Sequence, residues 1–177
     1  MPIISIFQSL PGFVVPKVDS VDDVHTLVAE LEAAGAPDHT KLWAMVETPL
    51  AMLDARAIAS ASDRLTVLVM GTNDLAKELQ AEHVPGRQPL LTGLGLCVLA
   101  ARATGKVILD GVYNDIKDAD GFAAECLQGR QMGFDGKTLI HPAQIEPCND
   151  TWAPTDEAVA DARELIATFD AAIAEGK

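Results

Sequence analysis

Five short apolar runs recur along the chain, and the stretches between them carry a helical pattern. The runs are "GFVVPK" (12–17), "LWAMVET" (42–48), "LTVLVMG" (65–71), "KVILDGV" (106–112) and "KTLIHP" (137–142). Each is rich in Val, Ile or Leu and each ends in polar, Gly or Pro residues. Such runs read as buried parallel strands. Ser20 is placed to cap a helix that puts Val21, Val24, Leu27, Val28 and Leu31 on one face. Further helices are expected over Leu50 to Ser60, over Leu90 to Thr104 with Gly105 as its stop, and over Asp118 to Met132 with Gly133 as its stop. A last one starts near Thr155, after Pro154. Strands alternating with helices at this spacing make a parallel α/β protein. "AEHVPGRQPLL" (81–91) is the longest irregular stretch and is expected as a loop at the mouth of the site.

A chain of 177 residues, 49% hydrophobic, suits one domain with a sizeable core. The formal net charge of −13 argues against nucleic acid and anionic membranes as partners. An anionic substrate would need a bound cation or a few local basic groups. The three cysteines, Cys97, Cys126 and Cys148, form no CxxC, so neither a disulfide framework nor a zinc site is indicated and a cytoplasmic setting is the expectation. "PIISIF" near the start is too short to span a membrane.

Polar residues stand at the C-terminal ends of all five strands: Lys17, Glu47, Asn73 with Asp74, Asp110 with Asn114, and His141. In a TIM barrel every strand end faces one central site. A doubly wound sheet would gather such groups at a switch point. Neither GxGxxG nor GxxxxGK[ST] occurs. The expected fold is therefore a TIM (β/α)8-type barrel, and a partial one. Eight units need about 250 residues, and five are visible. "IISIF" is a candidate sixth strand.

Glu47 and Asp74 end successive strands, which are neighbours in a barrel. Two carboxylates on one rim repel unless a cation sits between them. Both offer hard oxygen ligands, so Mg²⁺ fits best and Mn²⁺ next. The competing reading makes them helix caps or ion-pair partners. Gly71 allows close backbone approach, and Asn73 and Asp74 precede a helix expected at Leu75. Backbone N–H groups at a helix start bind anions such as a carboxylate. A metal beside that cradle would chelate a 2-oxo acid through its ketone and carboxylate oxygens. Lys17 either faces the site or forms a rim salt bridge. Asp110 and Asn114 are candidates for the pocket wall, with Asp110 a weak candidate for catalysis. His141 reads as a hydrogen-bonded structural histidine, and His25, His39 and His83 as surface residues. "DIKDADGFAAE" (115–125) fails as a calcium loop, because Ile116 and Leu127 would fall on ligand positions.

"WAMVETPLAMLDARAIA", "LVMGTNDLAKEL", "ILDGVYNDIKDADGF" and "GFDGKTLIHPAQI" together resemble the citrate lyase β-subunit and malyl-CoA lyase family, within the HpcH/HpaI aldolase superfamily. "GFVVPKVDS" matches the preceding strand of that family. The resemblance runs from about Gly12 to the end. It implies a Mg²⁺-dependent barrel lyase acting on a CoA thioester and a 2-oxo acid such as glyoxylate. It makes Glu47 and Asp74 the metal carboxylates, and the Gly71, Thr72, Asn73 and Asp74 backbone the oxo-acid cradle. Lys17 and Pro142 become substrate-binding candidates, Pro142 near the pantetheine entry. A cytoplasmic homo-oligomer is the implied setting.

The chain departs from the family pattern in three places. The first three strands, with an acidic and an arginine-bearing strand end, are missing, as is a C-terminal lid segment. Residues 1–11 form an atypical N-terminal segment, and residues 12–177 are read as a partial barrel lyase domain. The alternatives to a C–C lyase are a malyl-CoA thioesterase, toward which "GTNDLAKE" leans, and a catalytically incomplete fragment. A free pyruvate-type aldolase is disfavoured by "GKTLIHPAQI".

Overall fold

The computed structural model describes residues 10–175. The possible strand at "IISIF" lies outside them. Five parallel strands form one sheet in the order β1-β2-β3-β4-β5: β1 Gly12–Val15, β2 Lys41–Val46, β3 Leu65–Met70, β4 Val107–Asp110 and β5 Gly136–Lys137. Neighbours in sequence are neighbours in space, with no reversal and so no switch point. A doubly wound sheet would reverse its order at such a point.

The helices explain the pattern of burial. α1 (Val21–Ala33) starts as the sequence indicates. Ser20 Oγ accepts the Asp23 N–H at 3.1 Å, and Asp23 Oδ2 accepts the Asp19 N–H at 3.0 Å. α5 (Leu91–Thr104) and α6 (Ala119–Met132) both stop at left-handed glycines, Gly105 (φ 66°) and Gly133 (φ 97°). α1, α5 and β2–β4 pack around one core that includes Val24, Leu42, Ile58, Leu68, Leu94 and Ile108, while Phe122 and Cys126 of α6 form a second small cluster with Cys148. Alternate strand residues enter the main core, Leu42, Ala44 and Val46 on β2, Leu68 and Met70 on β3, Ile108 on β4, and Leu65 joins them out of phase before the register shift at Leu42/Trp43. The opposite face carries the register row Val14–Trp43–Val67–Val107, whose two ends, Val14 and Val107, are exposed.

Several boundaries differ from expectation. The single helix expected over Leu50 to Ser60 is two short ones, α2 (Pro49–Leu53) and α3 (Ala55–Ser60), because Asp54 leaves helical geometry at φ −98°, ψ 8°. The helix expected at Leu75 is α4 (Thr72–Glu78), which begins directly after Gly71. The last strand shrinks from 137–142 to Gly136–Lys137. Beyond it His141 Nδ1 accepts the Ala143 N–H at 3.2 Å, and the chain turns into a 3-10 turn at Pro142–Gln144 and then α7 (Ile145–Trp152). The 81–91 segment is partly ordered, as a 3-10 turn at Pro85–Leu90 with left-handed Gly86 and Arg87 inside it. α8 (Asp156–Ala174) has no buried residue, and Leu165, Ile166, Phe169 and Ile173 stand exposed along it. Among the described residues, no helix is long and apolar enough to cross a membrane.

Candidate active site at the strand ends

Strand parity decides where the acids go. On β2 the even residues Leu42, Ala44 and Val46 face the helices, so Glu47 is aimed away from them. It is buried nonetheless, at 4% exposure. Its carboxylate lies over Gly71 at the end of β3, and a Cβ on Gly71 would run into Glu47 Cβ and Oε2. Gly71 has φ −96°, which any residue adopts. Space, not backbone freedom, calls for glycine here.

Lys17 joins the pair. Its backbone N–H donates to Glu47 Oε1 at 2.9 Å, and its Nζ lies 3.1 Å from Asp74 Oδ2. Alternation along β1 would send Lys17 toward the helices with Phe13 and Val15. Its left-handed conformation, φ 56°, breaks that alternation. One residue further, Thr48 Oγ1 donates to Asp19 Oδ1 at 2.6 Å and accepts the Ala51 N–H at 3.1 Å. The turns after β1 and β2 are thus laced together around Glu47.

The electrostatics follow. Burial pushes the Glu47 carboxyl above its ordinary range, against the Lys17 N–H and charge, and the Asp74 carboxylate adds to the rise. The Lys17 hydrogen bond and charge hold Asp74 below its ordinary range, and the same bond raises Lys17. Two acids and one base leave a net negative site open at the rim. The donor set fits a hard divalent cation held by two carboxylates and completed by other oxygens. Among the described residues there is no group of three or more His, Cys, Asp or Glu side chains that would make a closed all-protein cage.

The backbone cradle is narrower than the sequence indicated. The Gly71 N–H is bonded to Val46 O at 3.0 Å, and the Leu75 N–H to Gly71 O at 3.0 Å. The amides of Thr72, Asn73 and Asp74 remain as the unclosed start of α4. Asn73 does not face them alone. Its side chain forms a reciprocal amide pair with Asn114, at 3.0 and 2.7 Å. Thr72 is buried, and Pro142 is exposed after β5.

Asp110 is elsewhere. It shares the parity of Ile108, so it points behind the sheet toward α6, where a Cβ on Gly129 would press on its Oδ2. It is fully buried. Arg87 Nη1 reaches Oδ1 at 2.7 Å, Lys137 Nζ reaches Oδ2 at 3.0 Å, and the Gly111 N–H reaches Oδ1 at 2.8 Å. Lys137 also binds Glu125 at 2.7 Å, and Arg87 Nε binds Gln128 at 2.9 Å. Sequence reading missed Arg87, Glu125 and Lys137. The usable signal was parity: an acid in phase with the buried residues of a strand needs buried bases. A cleft of about 400 Å³ opens beside this cluster, lined by Thr72, Val84, Arg87, Asn114, Asp118 and Gln128 among others. Neither Glu47 nor Asp74 lines it.

Comparison with known proteins adds four matches. The family model described as HpcH/HpaI aldolase/citrate lyase matches residues 6–142, beginning six residues ahead of Gly12. A (3S)-malyl-CoA thioesterase of Cereibacter sphaeroides (strain ATCC 17025 / ATH 2.4.3) is 55% identical over 92% of this chain and 55% of its own length. Citrate lyase subunit beta of Escherichia coli (strain K12) is 37% identical over 91% of this chain and 55% of its own. The chain spans about half the length of these curated relatives. Among solved structures, the citrate lyase beta subunit of M. tuberculosis complexed with oxaloacetate and magnesium superposes with a TM-score of 0.69 at 28% identity, over 82% of this chain and 63% of that one.

Proposed function

The chain belongs to the HpcH/HpaI aldolase/citrate lyase family, and from that premise we propose that it is the cation-binding part of an enzyme acting on malyl-CoA-type thioesters, with hydrolysis as the outcome. The observation that carries this is the meeting of Glu47, after β2, and Asp74, in the first turn of α4, on Lys17, with Glu47 packed over a glycine that leaves room for nothing larger. The 55% identity to a malyl-CoA thioesterase favours hydrolysis over C–C cleavage. Cleavage to glyoxylate and a thioester is the second reading, favoured by the 37% identity to a citrate lyase subunit.

Glu47 and Asp74 would hold Mg²⁺, or Mn²⁺ in its place. When bound, the cation supplies Lewis-acid polarisation of the substrate's 2-oxygen. The amides of Thr72, Asn73 and Asp74 would orient the substrate carboxylate. Buried Thr72 holds the start of α4 in place. Lys17 would meet anionic charge at the rim, and Pro142 would border the thioester arm. Asp110, tied to two bases behind the sheet, is given a structural role instead of a catalytic one. In hydrolysis, water oxygen adds to the thioester carbonyl, the C–S bond breaks, and malate and the CoA thiol leave.

The five-stranded sheet is proposed to be one wall of a barrel, with residues 12–177 as the domain. The exposed strand edges and the apolar face of α8 favour association into an oligomer. All three thiols are free and buried, in keeping with a cytoplasmic setting. Incubation with malyl-CoA and Mg²⁺ tests the reaction. Free thiol without glyoxylate is expected. Glyoxylate without thiol would replace hydrolysis by cleavage. Neither product, with metal binding intact, would make this chain a site that needs the rest of its relatives' length to turn over.

A further inference from the structure

We propose that Lys17 is a built-in stand-in for the divalent cation: its ammonium holds the cation's place on Asp74, is displaced when the metal binds, and then meets the carboxylate of the incoming anion. This rests on the cation-binding reading of Glu47 and Asp74.

Three observations support it. A single residue engages both carboxylates, Glu47 through its backbone N–H and Asp74 through its Nζ. The backbone at Lys17 is left-handed, a conformation glycine adopts without strain and a side-chain-bearing residue does not. Glycine would supply the same N–H to Glu47. What lysine adds at that position is the ammonium. Finally, the Lys17–Asp74 pair is exchangeable. Its side chains are 49% and 42% exposed, whereas the Lys137–Asp110 pair is wholly buried. A divalent cation on Asp74 competes with the ammonium for the same carboxylate, because two cations held that close repel. After displacement the Lys17 amide still anchors its backbone to Glu47, which keeps the freed ammonium beside the cation and whatever the cation binds.

Titration calorimetry with Mn²⁺ alone, then with oxalate at saturating Mn²⁺, tests this on wild type, Lys17→Met and Lys77→Met. Methionine keeps the backbone N–H and the stem but not the charge. Lys77 is a nearby cation whose charge Asp74 feels, and among the described residues it forms no ion pair with Asp74. Lys17→Met is expected to bind Mn²⁺ about threefold tighter or more, the scale of an exposed ion pair, and to bind oxalate more weakly. Lys77→Met should change both less. Equal Mn²⁺ affinity in wild type and Lys17→Met, or equal tightening in both variants, overturns the stand-in while leaving the metal site standing. No Mn²⁺ binding by any of the three overturns the metal site itself. If Lys17→Met fails to fold, Lys17→Gln serves the same comparison.

Discussion

Two charged clusters, built from the same residue types, sit on opposite faces of one sheet. Behind it, Asp110 and Glu125 meet Arg87 and Lys137 in a closed, neutral set with almost no exposure. At the strand ends, Glu47 and Asp74 meet Lys17 alone, in an open set with a charge left over. The first has its acids matched by bases and one buried nitrogen, Arg87 Nη2, left without a hydrogen-bond partner, and its closure behind the sheet suits architecture. The second is short of one positive charge and, at Lys17 and Asp74, faces water, which is why it is the one proposed to take a cation. Burial and charge balance separate the two roles; residue identity does not.

The sharpest way to break this contrast is to remove Asp110. Asp110→Ala leaves two buried cations, Arg87 and Lys137, with Glu125 as their one remaining acid, and a loss of about 3–5 kcal/mol is expected in urea denaturation. A loss within the range of surface substitutions would mean that the rear cluster is not structural. Next comes the strand-end site. Glu47→Gln is expected to weaken Mn²⁺ binding about tenfold or more and to leave the melting temperature equal or higher. The sign at Glu47 follows from its raised carboxyl. A group whose folded pKa lies above its unfolded value contributes stability fully below the unfolded value and loses it as pH rises through the folded one. Ionised Glu47 therefore costs stability at neutral pH, and the glutamine variant should gain relative to wild type as pH rises. A destabilised variant at neutral pH would put Glu47 with the architectural acids.

A surface pair provides the smallest effect. Asp135 accepts from Arg102 at 2.8 Å and from the Ile108 N–H at 2.9 Å. Burial pushes its carboxyl up, but Arg102 and that N–H hold it below the ordinary range. Its contribution is present above the unfolded pKa and is lost as pH falls through the folded one. Asp135→Asn should cost no more than about 1 kcal/mol at neutral pH, with the difference from wild type closing in acid. A pH-independent difference would mean that packing, not charge, is what the residue supplies.

The sheet was legible in the sequence because buried parallel strands are written as contiguous apolar runs; four strands lie on those runs to within a residue, and the fifth touches its run only at Lys137. Their ends were less legible. "KTLIHP" is apolar enough for a strand, yet Pro142 has no N–H and His141 caps a turn, so pairing stops at Lys137. The convergence of Glu47, Gly71 and Asp74 was readable from strand order. The hold of Lys17 on both acids was not, since it depends on a positive φ that no local residue preference announces. Arg87 was hidden for the opposite reason. It sits in a Gly- and Pro-rich stretch that looks solvated, and its burial is set by an acid on a distant strand.

The strand order has one further effect, on how the chain folds. Each strand pairs with the next one made, so no early segment waits for a late one and the loops to be closed stay short. Lys17, Glu47 and Asp74 follow three successive strands and are assembled once α4 has formed. These three residues are brought together by the first half of the sequence, and the later units add Asn114 and Pro142 beside them.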